Sequence, residues 1–269
     1  MSLLPNCTDN EVRQLIPSGT ILLGYRGSIA HGTYVPQDQP DAIDDKDLLG
    51  VCIGPLDIYF GLRQFEQLEA RLREWDCVTY ELRKFVRLLE GANPNVLSLL
   101  WLDPNHYVIR HALGERLIAN RHLFLTKKIY YSFTGYAYGQ LKRIMHKEFA
   151  GYMGERRKEL VLRHGYDTKH ASHLIRLLRM GIEALRDGEL HVHRHDAQDL
   201  LAIKQGKYAL EDIKSMAQEL FRRAEAAYDG SSLPKSPNHE AINTLVMDLL
   251  KDKFLVGIQK PVEPLEGSS

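Results

Sequence analysis

Gly24-Tyr25-Arg26-Gly27-Ser28-Ile29-Ala30-His31-Gly32, followed by Asp44-Asp45-Lys46-Asp47-Leu48-Leu49-Gly50-Val51, is the part of the chain whose reading decides the fold. The apolar run Ile21-Leu22-Leu23 leads into a Gly-Ser pair, where the chain turns sharply; an Asp-x-Asp pair then opens a second apolar run. Alternate side chains of an extended strand share a face, so Asp45 and Asp47 are expected to project into one small volume. Carboxylates held that close repel unless a cation lies between them. Hard divalent ions such as Mg2+ take oxygen ligands and leave room for substrate phosphates. The turn at Gly27-Ser28 offers free backbone N–H groups and a hydroxyl, the means by which proteins cradle a phosphate. Together these features point to phosphoryl-type chemistry on a nucleotide. Asp44, adjacent to Asp45, is expected on the opposite strand face. The plainer alternatives are an ordinary strand-to-helix turn at Gly27-Ser28 and a solvated acidic loop, since Asp38 and Asp41 lie nearby.

A third acid stands on a later β-prone run that feeds a helix, Asp76-Cys77-Val78-Thr79-Tyr80-Glu81-Leu82-Arg83-Lys84-Phe85. Gly-Ser, Asp-x-Asp and a later carboxylate, in that order, resemble the nucleotidyltransferase superfamily of DNA polymerase beta. More narrowly, Tyr80-Glu81-Leu82-Arg83-Lys84-Phe85, Asn93-Pro94-Asn95-Val96-Leu97 and Lys169-His170-Ala171-Ser172-His173-Leu174-Ile175-Arg176-Leu177 resemble a bacterial and phage family of polymerase-beta-like nucleotidyltransferases of RNA repair pathways. The resemblance runs from about residue 20 to about residue 250. One departure is Ser98, where that family usually shows Glu.

The resemblance implies transfer of a nucleoside monophosphate from an NTP, such as ATP, onto an acceptor hydroxyl, with release of pyrophosphate. Asp45 and Asp47 would hold two Mg2+ ions (Mn2+ being the alternative) roughly 3.5–4 Å apart. Asp76 would bind the second ion and help deprotonate the acceptor, with Glu81 as the third acid if the strand register differs. Gly27 and Ser28 would hold the β- and γ-phosphates, with Arg26 or Lys46 as added charge. An RNA 3′ end is the acceptor that this resemblance favours; a small molecule or a protein side chain would use the same core. The other class of reading is a non-catalytic nucleotide- or RNA-binding module; the three intact acids count against it.

Lysine plus arginine balances aspartate plus glutamate at 35 each, so the whole-molecule field gives no bias toward nucleic acid. From Lys127 to Arg179, however, twelve basic residues face four acidic ones. Lys169, His173 and Arg176 share one helix face at three-to-four spacing, either as a solvated surface or as a triphosphate or nucleic-acid contact. Tyr130, Tyr131, Tyr136, Tyr138, Tyr152 and Tyr166 interleave with Lys127, Lys128, Lys142, Arg143, Arg156, Arg157 and Lys158. Such a mixture grips single strands by charge and stacking, although aromatics at that spacing more often form helix core. His191, His193 and His195 alternate, as Zn2+ ligands on a strand would, but without a fourth ligand they read as a surface loop. Three cysteines (Cys7, Cys52, Cys77) without ligand-like spacing suggest a reducing, cytoplasmic setting. No apolar run approaches the ~20 residues needed to span a bilayer. The oligomeric state is not legible.

The expected fold is therefore α+β, with a small mixed β-sheet catalytic core over residues 1–120. An all-helical substrate-binding domain follows over 121–258, then a Pro- and Gly-rich disordered tail over 259–269. Strands are expected over 21–25, 47–53 and 76–80. Helices are expected near 8–16, 81–90, 95–101, 123–149, 169–185, 208–228 and 239–254.

Overall fold

The computed structural model describes residue 4 and residues 7–36, 38–39, 44–145 and 155–255. The expectations for 259–269, Asp41 and Tyr152, and for the side chains of Arg156 and Arg157, lie outside the described residues.

The chain begins with helix α1 (Asp9–Leu15). The Thr8 hydroxyl accepts from the Glu11 N–H at 3.3 Å, and the Glu11 carboxylate accepts from the Thr8 N–H at 2.7 Å. This reciprocal cap is worth about 1 kcal/mol. It seats Val12 and Leu15 in a small cluster with Leu23, Leu48, Trp75 and Cys77 on one face of the sheet.

The sheet has five strands in the order β3-β4-β2-β1-β5. They are β1 (Thr20–Arg26), β2 (Lys46–Cys52), β3 (Gln67–Leu72), β4 (Trp75–Glu81) and β5 (Tyr107–Arg110). β2 and β4 run parallel, and every other pair is antiparallel. A parallel pair needs a crossover of a dozen or more residues; here helix α2 (Leu56–Phe60) and edge strand β3 supply it. The mixed sheet, backed by helices and followed by a helical half, agrees with the α+β expectation.

On the other face, α3 (Leu82–Glu90) and α4 (Pro94–Leu99) bury Leu82, Phe85, Leu89 and Leu97. Beyond α5 (Ala112–Ala119) the chain is helical: α6 (Lys128–Met145), α7 (Glu155–His164), α8 (Thr168–Asp187), α9 (Ala197–Lys204), α10 (Leu210–Gly230) and α11 (His239–Leu255). The axis of this half is α8, capped by Asp167 through the His170 N–H and closed by Gly188 at φ +67°. It packs on α6, α9 and α10. The apolar core is continuous from Ile21 in β1 to Leu249 in α11, so the sheet and the helices bury one another. Among the described residues, no helix is long and apolar enough to cross a membrane.

Six elements lie outside the ranges expected from the sequence: α2, β3, β5, α5, α7 and α9. Each is short or polar on its outer face, so tertiary pairing decides its conformation.

Candidate active site

The decisive arrangement is a row across three strands. Asp47 of β2 pairs in register with Arg26 of β1 and with Asp76 of β4. Register partners send their side chains from the same face, on strands about 4.8 Å apart. Arg26 Nη2 donates to Asp47 Oδ1 at 3.2 Å. Gly27 follows at φ +66°, and a Cβ there would lie 2.9 Å from Asp47 Oδ2. Glycine is thus required twice, for its left-handed backbone and for the space it leaves at the carboxylate. The turn is pinned by the His31 N–H to Gly27 C=O (3.1 Å) and by the Thr33 N–H to Ser28 C=O (2.8 Å).

This turn, Asp45 and Asp47 form one wall of a cleft of about 240 Å3; Lys169, Ser172, His173 and Arg176 of α8 form the facing wall. Lys169 Nζ crosses it to Asp45 Oδ2 at 3.2 Å. Asp45 is two-thirds exposed, at 66% of its side chain. Burial, reinforced by the charge of Asp45, raises the pKa of Asp47, and Arg26 and Lys169 oppose the shift.

Arg176 is the most telling residue of the α8 wall. Burial, with the nearby charge of Arg194, pulls its guanidinium down to about 9, only partly offset by Asp196. Its Nη1 donates to Met180 Sδ at 3.2 Å, and no carboxylate among the described residues forms a salt bridge with it. Acids that could serve it are occupied: Asp196 takes Arg179 at 2.7 Å and Arg194 at 2.8 Å, and Glu183 also pairs with Arg194. A half-buried cation with no salt-bridge partner among the described residues favours an anion from outside.

Two further groups line the cleft that sequence reasoning missed. His31 is buried, and its Nδ1 lies 2.8 Å from the Val192 carbonyl. Burial and the charge of Arg176 hold its pKa well below the usual histidine range. The ring is therefore neutral, with Nδ1–H donating to the carbonyl and Nε2 left as acceptor. Lys204 of α9 is buried against Asp44, at 2.9 Å to Oδ2, and donates to the Thr33 carbonyl at 2.5 Å. His31 lies within the quoted stretch and could have been found there; Lys204, 160 positions from Asp44 in the chain, leaves no local signal.

Three expectations change. Asp44 does not point away from the cleft: β2 begins only at Lys46, so strand alternation does not govern Asp44, which lines the cavity neutralised by Lys204. Lys46 is not brought into the cleft. Its side chain issues from the opposite sheet face, 2.6 Å from Glu74 and 5.4 Å over the Trp75 ring. Glu81 is consumed as the N-cap of α3, accepting from the Arg83 and Lys84 N–H groups and from the Tyr59 hydroxyl. Asp76 remains the acid in register with Asp47; it lies 3.5 Å from Arg71 and is not among the residues lining the cavity.

Among the described residues, no three His, Cys, Asp or Glu side chains form a ready-made metal cage. Asp45 and Asp47, both lining the cleft, supply the one or two carboxylates by which Mg2+ is held when substrate phosphates complete its shell. The space at Gly27 leaves Asp47 Oδ2 accessible. The donor set thus fits a hard divalent cation.

Ser98 spends its hydroxyl on the Pro94 carbonyl at 2.7 Å, in a small pocket it shares with Arg26, Gly27 and Asn95. His191, His193 and His195 lie exposed on irregular chain, while Val192 and Arg194 between them are buried. Tyr131, Tyr136 and Tyr138 are exposed on α6, whose core face is Ile129, Phe133, Ala137 and Ile144. Tyr166 alone of the described group is deeply buried.

A Gly-Ser turn over an Asp-x-Asp strand, on a mixed sheet joined to helices, defines a polymerase-beta-like protein of the nucleotidyltransferase kind. The chain belongs to the RNA repair pathway DNA polymerase beta family (RlaP), whose match spans residues 10–248. No curated protein matches the sequence. Among solved structures it is similar to a nucleotidyltransferase-like protein from Exiguobacterium sibiricum 255-15, with 14% identity, 93% of this chain and 76% of that chain covered, and a TM-score of 0.28.

Proposed function

We propose that the protein transfers a nucleoside monophosphate from an NTP to an acceptor hydroxyl and releases pyrophosphate. The observation that carries this reading is the pairing, across one cleft, of two carboxylates with a half-buried arginine that has no salt-bridge partner among the described residues. In this reading Asp45 and Asp47 hold Mg2+, which when bound neutralises phosphate charge and lowers the pKa of the acceptor hydroxyl. The Ser28 hydroxyl and the backbone N–H groups of the turn hold the β- and γ-phosphates, and Arg176 and Lys169 neutralise them from the opposite wall. Arg26 keeps Asp47 oriented. Asp76, one strand over on the same face, takes the proton of the acceptor hydroxyl. Catalysis here is mainly positioning and charge neutralisation.

RNA is the acceptor we favour, because the family is one of RNA repair and because α6 presents exposed tyrosines with Lys142 lying 4.8 Å over the Tyr138 ring. The test is incubation of the protein and Mg2+ with each α-labelled NTP and RNA, DNA or no acceptor. Label on the RNA 3′ end is expected. Label on a small molecule or on the protein itself would replace RNA as acceptor, and NTP binding without transfer would reduce the protein to a binding module.

A further inference from the structure

His173 lies one helical turn from Lys169 and one from Arg176, on the α8 face that closes the cleft opposite Ser28. Its Nε2 exposes almost no surface and has no hydrogen-bond partner among the described residues, although the ring lines the cavity. Buried polar atoms are nearly always paired, so a solitary one marks a functional group or an absent partner. His31 shows the contrast, since the Val192 carbonyl fixes its Nδ1 in place.

We infer that His173 is the general acid that protonates the departing pyrophosphate; this rests on the transfer reaction proposed above. The acceptor oxygen bonds to the α-phosphorus as the bond from that phosphorus to the α,β-bridging oxygen breaks. The proton of the imidazolium passes to that bridging oxygen, pyrophosphate departs with one negative charge fewer, and neutral His173 regains a proton from solvent in the next cycle. The acceptor's own proton leaves separately, to Asp76.

The charges around His173 make such a proton conditional on substrate. Burial and then Arg176, His170, Arg143 and Lys169 hold its pKa well below the usual value. These come from α8 itself and from α6; His31 faces it from the turn after β1. Arg26 and the neutralised Asp44–Lys204 pair line the same cavity, and its remaining acids, Asp45 and Asp47, already face Lys169 and Arg26. The protein's own groups thus disfavour imidazolium. A triphosphate delivers several negative charges at hydrogen-bonding range and reverses the preference. A general acid charged only when the leaving group is in place matches the proton transfer to the step that needs it.

The experiment has two readouts. Binding of α,β-methylene-ATP with Mg2+ is measured calorimetrically near pH 7.5 in buffers of different ionisation heat. Wild type is expected to take up about one proton per analogue bound, and His173→Gln close to none, with folding checked by circular dichroism. Uptake that is absent in wild type, or equal in the two, overturns the inference, and the wild-type result decides even if the variant does not fold. Transfer is then compared between ATP and β,γ-difluoromethylene-ATP, whose leaving group is less basic. His173→Gln should lose about 10²–10⁴-fold with ATP and markedly less with the analogue; equal loss with both contradicts an acid role. Failure of wild type to bind either nucleotide would instead overturn the nucleotidyltransfer reading itself.

Discussion

At the scale of the residue, Asp47 is under opposing demands. Its pKa is raised by burial despite Arg26 at 3.2 Å, so the folded protein holds its proton more tightly than the unfolded chain. Stability from such a group is fully present below the unfolded pKa and is lost as pH rises through the folded value. At pH 7 the charged carboxylate therefore opposes folding. Asp47→Asn is expected to match or exceed the wild-type melting temperature at pH 7, with the difference shrinking in acid, while nucleotidyl transfer is abolished. A variant melting well below wild type at neutral pH would assign Asp47 a structural role. That Gly27, Ser28, Asp45 and Asp47 come together in one cleft was legible in the sequence, because their placement depends on neighbours within one turn and one strand. Lys46 was misplaced because adjacency in sequence, on a strand, means opposite faces. Arg176 was legible as part of a basic helix face, but its lack of a salt-bridge partner among the described residues emerges only from side chains that meet in three dimensions.

At the scale of the element, the loop between β1 and β2 is anchored by one buried ion pair. Asp44 accepts from Lys204 and from the Val35 N–H at 2.9 Å, and Lys204 also holds the Thr33 carbonyl. Removing one partner of a buried pair leaves the other charge stranded, at a cost of about 3–5 kcal/mol. Lys204→Met is expected to lower the melting temperature by roughly 10 °C and to weaken nucleotide binding through the displaced loop, a result read by thermal unfolding and titration. Unchanged stability would show that the loop is anchored elsewhere. β1, β2 and β4 were readable as apolar runs, and α3 and α8 as amphipathic helices with caps. β3 alternates half-buried Leu68, Ala70 and Leu72 with exposed Glu69 and Arg71, and β5 has four residues. Both are edge strands whose register comes from their partner, which no local pattern records.

At the scale of the whole molecule, the sheet supplies carboxylates and α8 supplies cations, and the shared core fixes the two walls of the cleft. The zero net charge conceals this division. A polyanionic acceptor carried by the basic stretch would show RNA affinity falling with salt, at a log–log slope near −0.7 per phosphate contact on a single strand. Tyr138→Ala should cost about 1–3 kcal/mol in RNA affinity if a base stacks there, leaving NTP binding unchanged; an RNA interaction insensitive to both salt and Tyr138 would remove RNA as the acceptor. The central claim is that the cleft between the Gly27–Ser28 turn and α8 binds a metal–nucleotide complex through Asp45 and Asp47. Thermal unfolding with ATP, with and without Mg2+, for wild type and Asp45→Asn/Asp47→Asn tests it most directly. At a hundredfold excess of nucleotide over its Kd, wild type with Mg2+ should gain about 2.7 kcal/mol, roughly 5–10 °C. EDTA or the double substitution should cancel most of that gain. Equal gains with and without Mg2+, or in the double variant, would contradict the claim.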